Sequence, residues 1–402
     1  MKSSYSELFI LSIAIFSILV VLTNSLMLGP LLVLISSDLN ITVAMAGQLV
    51  AITSASWAIT GPSGGPFSDT YGRRPVILTG ISIMILGNLL TLVSQQFISI
   101  ALARLLTGFG AGLVPPTIVA TIGDHIPIET RGKSIGIMMG ATRVGTIFAL
   151  PAIAMIGDSL GWRVPFGIMS LILSILIITF WFIFPKSDNL KRKPLDFFNR
   201  LLRALGTQSF KPLLLANLLT QSSAYIITTY LAALLISRYN LTVSEAGIPT
   251  GIVVGGMALG SMVGGRFMTT KFGPRLALGS LIISAIMGPL SFSTPIGSVF
   301  VIFFTTTLGF SVMLCVTSFL TITTNLSSTA RGASVGLFAA SNQLGAILGS
   351  AIGGLILGLT SSYDGLGLVI SVFGILGLIS AGIAMKGIYI REGEENLVQA
   401  DN

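Results

Sequence analysis

The stretch GGPFSDTYGRRP (residues 64–75) separates two long apolar runs of the chain. Its charged side chains, Asp69, Arg73 and Arg74, are too costly to bury in hydrocarbon, so between two membrane helices the stretch has to face water. Gly72 can adopt a positive φ angle, and Pro75 suits the first turn of a helix. The stretch therefore predicts a tight polar hairpin between two membrane-spanning helices.

The composition is that of an integral membrane protein. Of 402 residues, 52% are hydrophobic and 9% are charged, whereas a soluble domain carries about a quarter of charged residues. Apolar runs of about 20 residues, the length that crosses the bilayer core, predict twelve spans. They cover residues 8–34, 43–67, 75–95, 97–121, 132–156, 163–184, 212–236, 244–268, 275–293, 297–322, 332–358 and 366–388.

Lys and Arg are distributed unevenly among the predicted loops. With the N-terminus in the cytoplasm, the outer loops hold only Arg163 and Arg238, and the inner loops and tails hold the other loop cations. This bias predicts a multi-pass protein of the cell inner (plasma) membrane with both termini cytoplasmic. Topology then accounts for the net charge of +8, and we expect the lipid bilayer, but no nucleic acid, as a partner.

Several kinds of chemistry lack the residues they need. The chain has one cysteine, Cys315, and one histidine, His125, so we expect neither a Cys-based nor a His-rich metal site and no Ser-His-Asp triad. The Gly-x4-Gly-Lys-Ser/Thr loop of nucleotide-driven pumps is also missing. We therefore predict no cofactor, no metal and no enzyme activity.

An internal repeat divides the chain in two. TRGKSIG (residues 130–136) recurs as ARGASVG (residues 330–336), with the same chain direction. A basic hydrophilic connection lies between the halves. We predict an all-α membrane protein with an N-terminal six-helix bundle (residues 1–184), a cytoplasmic linker (185–211), a C-terminal six-helix bundle (212–390) and a cytoplasmic tail (391–402).

These motifs resemble the major facilitator superfamily, and within it the twelve-span drug:proton antiporter branch. GPFSDTYGRR (residues 65–74) looks like the family's loop between helices 2 and 3, and RLLTGFGAG (104–112) resembles its fourth-helix motif. The fifth-helix motif of antiporters is not matched, because the chain reads ALPAIA at residues 149–154. The resemblance implies two pseudo-symmetric bundles that work by alternating access, a small-molecule substrate, protons as the coupling ion and a monomer.

Charges around the opening stretch form a predicted cytoplasmic gate. The resemblance places Asp124, at the inner end of the fourth helix, beside the loop. Asp69, Arg73 and Asp124 would then form a cluster that breaks as the bundles move, with Gly72 and Arg74 completing the gate. The alternative is a simple polar turn with arginines on the cytoplasmic side.

Arg104 and Arg143 are the two charges predicted within the membrane. Arg143 follows Arg131 by twelve residues, which places it about 18 Å along its helix. No Asp or Glu lies deep in a predicted span, so a cavity containing these arginines would be positive and would favour an anionic group. Arg104 is alternatively a proton-relay or packing residue of the family.

The resemblance places helices 1, 4, 7 and 10 around a central cavity. Asn217, Gln221 and Tyr225 fall at four-residue spacing on one helix face. Hydrogen bonding between helices is the alternative role for such polar residues. The uncharged residues predicted to line the cavity are Asn24, Trp57, Asn217, Gln221, Tyr225, Tyr230, Asn342 and Gln343. Asp38 and Glu245, at outer helix ends, are the candidates for proton coupling.

Taken together, the sequence predicts a secondary active transporter that exports a small organic compound, with an anionic group as a candidate feature, in exchange for protons. Two alternatives stay open. One is an uptake permease for an anionic metabolite, and the other is a membrane receptor or scaffold of the same fold that transports nothing.

Overall fold

The computed structural model describes residues 7–183, 209–267, 273–326 and 331–400. Every regular element within these residues is an α-helix, and twelve helical spans are long and apolar enough to cross a membrane. All twelve predicted spans are found. The helices are α1 (Glu7–Leu26), α2 (Leu28–Asp38), α3 (Val43–Tyr71), α4 (Arg73–Val93), α5 (Phe97–His125), α6 (Ile128–Leu160), α7 (Val164–Ile183), α8 (Phe210–Tyr239), α9 (Val243–Phe267), α10 (Gly273–Phe292), α11 (Ser298–Leu326), α12 (Arg331–Thr360) and α13 (Asp364–Ala400).

The hairpin predicted at residues 64–75 is much shorter than expected. Helix α3 continues to Tyr71 with two prolines inside it, and the only non-helical residue before α4 is Gly72, with φ 98° and ψ 151°. Within this segment the hydroxyl of Ser68 donates to the carbonyl of Gly65 at 2.8 Å. The span predicted to end at residue 67 thus continues to Tyr71, so the predicted loop was wrong for residues 68–71 and right for the turn glycine.

The first span consists of two helices, α1 and α2. Pro30 has no N–H, so the carbonyl of Leu26 lacks its usual helical partner and the helix breaks at Met27. The span then continues to Asp38, beyond the predicted end at residue 34.

Helices α1–α7 form one bundle and α8–α13 a second. Equivalent helices make equivalent contacts: α3 packs on α5 as α9 packs on α11. The bundles meet along α3 and α12 and along α6 and α9, with a smaller contact between α2 and α8. Two pseudo-symmetric bundles of six spans confirm the predicted fold class. The predicted linker lies outside the described residues except for residues 209–211.

The helices end at two opposite faces of the molecule. The Asp38 face carries the ends of α2, α6 and α8, and the Gly72 face carries the ends of α3 and α5. In the predicted orientation the Gly72 face is cytoplasmic.

A second repeated motif relates the two bundles at the Asp38 face. Asn40 and Asn240 both adopt left-handed backbone conformations, with φ 53° and 55°. The threonine two residues later caps the next helix in each bundle: Thr42 accepts from the N–H of Met45 at 3.1 Å, and Thr242 accepts from the N–H of Glu245 at 3.2 Å. The sequence carries this signal as NITV at 40–43 and NLTV at 240–243.

Each bundle also has one arginine–aspartate pair at this face, but the acid and the base have changed places between the two equivalent helix ends. In the first bundle Arg163, before α7, binds Asp38 at the end of α2 at 2.7 Å. In the second, Arg238 at the end of α8 binds Asp364 at the start of α13 at 2.5 Å. Each arginine also donates to a backbone carbonyl at the end of α4 or of α10, at 2.9 and 2.8 Å. The same three helix ends are thus joined in both bundles.

The described contacts between bundles concentrate toward the Asp38 face. Asp158 at the end of α6 accepts from the N–H and the hydroxyl of Ser244 on α9, at 3.1 and 2.6 Å. Gln48 of α3 donates to the carbonyl of Ala351 on α12 at 3.3 Å. Helix α9 approaches α6 closely, because a Cβ added at Gly251 would lie 2.7 Å from the carbonyl oxygen of α6 at residue 147.

The helices are more open toward the Gly72 face. A Cβ added at Gly136 or Gly140 of α6, or at Gly336 of α12, would meet no atom within 4 Å. The described contacts between the bundles therefore lie toward the Asp38 face, whereas these three glycines near the Gly72 face have no close neighbour among the described residues.

Candidate functional site

Arg143 of α6 lies where the two bundles face each other. Its guanidinium lies near the side chain of Tyr225 on α8, in the other bundle. Arg143 is half-buried and makes no hydrogen bond or ion pair within the described part of the chain. A half-buried cation without a carboxylate partner is available to an anionic ligand.

The predicted polar face of α8 is built largely as a contact with α12. The amide nitrogen of Asn217 donates to the hydroxyl of Ser341 and to the side-chain oxygen of Asn342, both at 2.7 Å. Gln221, one turn later, is 8% exposed. A Cβ on Gly345 would lie 2.7 Å from the Cβ of Gln221. Hydrogen bonding between helices therefore accounts for Asn217.

Three amide oxygens near this contact have no hydrogen-bond donor among the described residues. They belong to Asn217, Gln221 and Gln343, and all three atoms are shielded from solvent. Tyr225, one turn beyond Gln221, is only partly buried. Of the residues predicted on α8, Tyr225 is thus the one placed beside Arg143.

Arg104 lies inside the first bundle rather than beside Arg143. Its guanidinium is fully buried and stacks on the ring of Phe166 at 4.8 Å. One nitrogen, Nη2, donates to Asn88 and Thr91 of α4, both at 2.8 Å. Asn88 in turn donates to the side-chain oxygen of Asn24 at 2.8 Å.

This network separates Arg104 and Asn24 from the space between the bundles. Asn24 is fully buried, so neither side chain lines a cavity in this conformation. Asn88 and Thr91 were missed from sequence, although their spacing of three residues within an apolar span signals a polar stripe on one helix face.

Tyr230 is also placed away from Arg143. It is fully buried, and its hydroxyl donates to the carbonyl of Ser350 on α12 at 2.7 Å. Its ring packs against Gly47 of α3, where an added Cβ would collide with the hydroxyl. Trp57 is 9% exposed within α3. Tyr230 therefore belongs to the closed Asp38 side, where it contacts both bundles.

The charges of the predicted gate are brought together. Arg73 binds Asp69 at 2.5 Å and Asp124 at 2.8 Å. Arg74 donates to the carbonyl of Trp181 and lies 5.2 Å from the centre of its indole ring. All these residues belong to the first bundle, on α3, α4, α5 and α7, and none of the contacts described for them reaches the second bundle. Their role as a gate stays a prediction.

Both candidates for proton coupling have structural partners at the Asp38 face. Asp38 is paired with Arg163 at 2.7 Å. Glu245 accepts from the N–H of Thr242 at 2.8 Å, which with the reverse bond to Thr242 forms a capping box at the start of α9. Helix capping and ion pairing account for these carboxylates, and proton coupling through them is untested.

No Asp or Glu of the described residues lies at mid-membrane depth. The described residues also contain no group of three or more His, Cys, Asp or Glu side chains that could hold a metal ion. Arg143 is therefore the charge whose position most directly suits a small ligand between the bundles.

The family model described as Major Facilitator Superfamily matches residues 14–350. The uncharacterized MFS-type transporter YceJ of Bacillus subtilis is 28% identical over 353 residues, which cover 85% of this chain and 87% of that protein. The quinolone resistance protein NorA of Staphylococcus aureus (strain N315) is 30% identical over 155 residues, which cover 37% of this chain and 40% of NorA.

A solved structure shows the same fold. It is a bacterial homologue of the human lysosomal transporter Spinster, in an inward-facing and occupied conformation. The TM-score is 0.78 with 17% sequence identity, over 97% of this chain and 98% of that one.

Proposed function

The chain belongs to the Major Facilitator Superfamily of membrane transporters, and from this premise we propose that it is a secondary active transporter that exports a small organic compound in exchange for protons. Its family and relatives are transporters, not enzymes. Twelve membrane-capable spans make it a multi-pass membrane protein. The transported compound binds between the bundles and is released as they rock by alternating access.

The position of Arg143 is the observation that carries the substrate proposal. It is a cation between the bundles with no carboxylate partner among the described residues. A substrate with a carboxylate or phosphate would supply that partner, and a lipophilic cation would be repelled. Quinolones carry a carboxylate, and one relative is a quinolone resistance protein, which supports export as the direction and quinolones as the first compounds to test.

The distribution of Lys and Arg among the loops supports the proposed orientation. We propose a bacterial plasma membrane, both termini cytoplasmic, and a monomer. The bundles are residues 1–184 and 212–390, joined by the basic linker 185–211 and followed by the tail 391–402. In this orientation the described hydrogen bonds between the bundles lie toward the periplasmic side.

The test is a flux assay in proteoliposomes. A quinolone is loaded with and without an imposed proton gradient, and transport is compared for the native protein and Arg143→Gln. Because Arg143→Gln loses one charge-assisted contact, we expect its apparent affinity for the quinolone to be about ten-fold weaker. Arg143→Lys keeps the positive charge and should retain most of the native affinity. Transport of anionic compounds that does not depend on Arg143 contradicts the substrate proposal.

Direction and coupling need separate measurements. Accumulation driven inward by the proton gradient would favour the uptake permease for an anionic metabolite. If no compound of a chemically diverse panel moves under any gradient, the protein is a receptor or scaffold on this fold and the transport proposal is wrong.

A further inference from the structure

An apolar groove lies on the outside of the second bundle, between α10 and α11. Its volume is about 350 Å3. Helix α10 packs chiefly on α11 and α13, away from the first bundle, and Leu276 and Ile283 in the groove are 38% and 42% exposed. The groove therefore opens toward the surrounding membrane. It is lined by Arg275, Leu276, Gly279, Ser280, Ile283, Phe310, Ser311 and Leu314.

Apart from Arg275, the side chains that line this groove have no polar group without a hydrogen bond. The hydroxyls of Ser280 and Ser311 donate to carbonyls of their own helices, each at 2.8 Å. Gly279 provides depth, because an added Cβ there would meet no atom within 4 Å. Apolar cavities stay dry, so a hydrocarbon chain fits this groove better than water or a polar solute.

Arg275 places a positive charge at one end of the groove. It lies in the first turn of α10, near the Gly72 face, and is exposed. It has no hydrogen bond or ion pair with any described residue. From Arg275 to Ile283 the groove extends about 12 Å along α10 at 1.5 Å per residue, which is most of one half of the roughly 30 Å hydrocarbon core.

We propose that this groove binds one acidic phospholipid, with an acyl chain between α10 and α11 and its phosphate on Arg275. The guanidinium is at the depth of the headgroups, where basic residues attract anionic lipids. A guanidinium also matches phosphate geometry through paired N–H donors. The groove is remote from Arg143 and does not depend on what the protein transports.

The experiment measures lipid retained by the purified protein. The full chain is reconstituted in vesicles of dioleoyl phosphatidylcholine and dioleoyl phosphatidylglycerol in equal amounts and extracted in mild detergent. Bound lipids are then counted by native mass spectrometry. We expect one retained phosphatidylglycerol and a preference for it that Arg275→Gln lowers about five-fold, the effect of one cation near an anionic lipid.

Two matched variants separate the groove from general surface charge. Lys211→Gln removes another exposed cation of the second bundle at the Gly72 face and should leave retention unchanged. Gly279→Leu fills the groove with an apolar side chain and should displace the lipid while the charge remains. Gel filtration verifies that each variant is folded.

Two results would overturn the proposal. One is equal loss of phosphatidylglycerol in Arg275→Gln and Lys211→Gln, which would mean diffuse charge attraction. The other is full retention by Arg275→Gln, a variant at an exposed position that should fold normally. Should Gly279→Leu fail to fold, the comparison of the two charge variants still decides.

Discussion

Removal of the Asp158 carboxylate should loosen the closed Asp38 face. This side chain from the first bundle accepts two hydrogen bonds from Ser244 in the second, at 3.1 and 2.6 Å, and so caps the first turn of α9 across the bundle interface. Because the site is exposed, solvent screens the charge. We expect Asp158→Ala to cost the closed state about 1 kcal/mol, as for loss of a helix cap.

That cost shifts the ratio of closed to open protein about five-fold. Spin labels at Ile98 and Val299 report the change, because these residues are 70% and 75% exposed and begin equivalent helices, α5 and α11, in the two bundles. The single cysteine, Cys315, is buried, which limits background labelling. Pulsed electron paramagnetic resonance should show a larger population of long distances in Asp158→Ala.

Two controls test the geometry of this contact. Ser244→Ala keeps the N–H donor and loses only the hydroxyl, so its effect should be about half that of Asp158→Ala. Ser159→Ala changes a neighbouring exposed residue whose hydroxyl bonds only within α6. Identical distance distributions for native protein and Asp158→Ala, or an equal shift in Ser159→Ala, would refute the reasoning.

The pseudo-symmetry offers a gain-of-contact version of the same experiment. Residues 200 positions away, Gly358 and Ala44, occupy the corresponding place between α12 and α3, beside a groove of about 470 Å3. A Cβ at Gly358 would lie 3.6 Å from the Cβ of Ala44, an ordinary contact. Gly358→Asp combined with Ala44→Ser should therefore add a second cap and increase the short-distance population, even in an Asp158→Ala background.

Three further results are expected. Asp69→Asn removes one of the two carboxylates bound to Arg73. It should lower the transport rate in proteoliposomes while the yield and melting temperature stay nearly native. Full transport by this variant would contradict the gate. Asp38→Arg should destabilise by about 1 kcal/mol through like charges, and adding Arg163→Asp should restore the melting temperature, because the second bundle uses this charge order. Gly47→Ala forces a clash with the buried Tyr230 ring and should lower the free energy of unfolding by about 1–3 kcal/mol. In the double variant Gly47→Ala/Tyr230→Leu, the fall in melting temperature should be smaller than the sum of the falls in the two single variants.

The membrane spans could be predicted because length and hydropathy determine them directly. All twelve predicted spans were found, and the repeat at residues 130–136 and 330–336 correctly indicated two related halves. The structure differed where a helix leaves the hydrocarbon. Residues 64–71 contain glycine, proline and an acid, which signal a loop in a soluble protein, yet a helix extends through them.

The side chains of the site were harder to predict than the fold. An apolar helix presents faces to lipid, to its own bundle and to the facing bundle, and composition does not separate the last two. Arg104 and Arg143 were therefore both predicted in the cavity, with a proton-relay or packing role left open for Arg104, whereas Asn88 and Thr91 hold Arg104 inside its bundle. Tyr230 was assigned to the cavity for the same reason. The acids at helix ends were found. The partner of Asp38, Arg163, depends on tertiary packing, whereas the capping box between Thr242 and Glu245 is a local signal three residues long.

The exchanged charges at the Asp38 face bear on how a duplicated chain folds correctly. During assembly of two similar halves, a helix end of one half could pack against the equivalent loop of the other half. Such a mistake would set Asp38 against Asp364 and Arg238 against Arg163, and like charges repel. Had both halves kept the same charge order, the wrong pairs would be as attractive as the right ones. Because of the reversal, opposite charges meet only when the helices of the same half pack together.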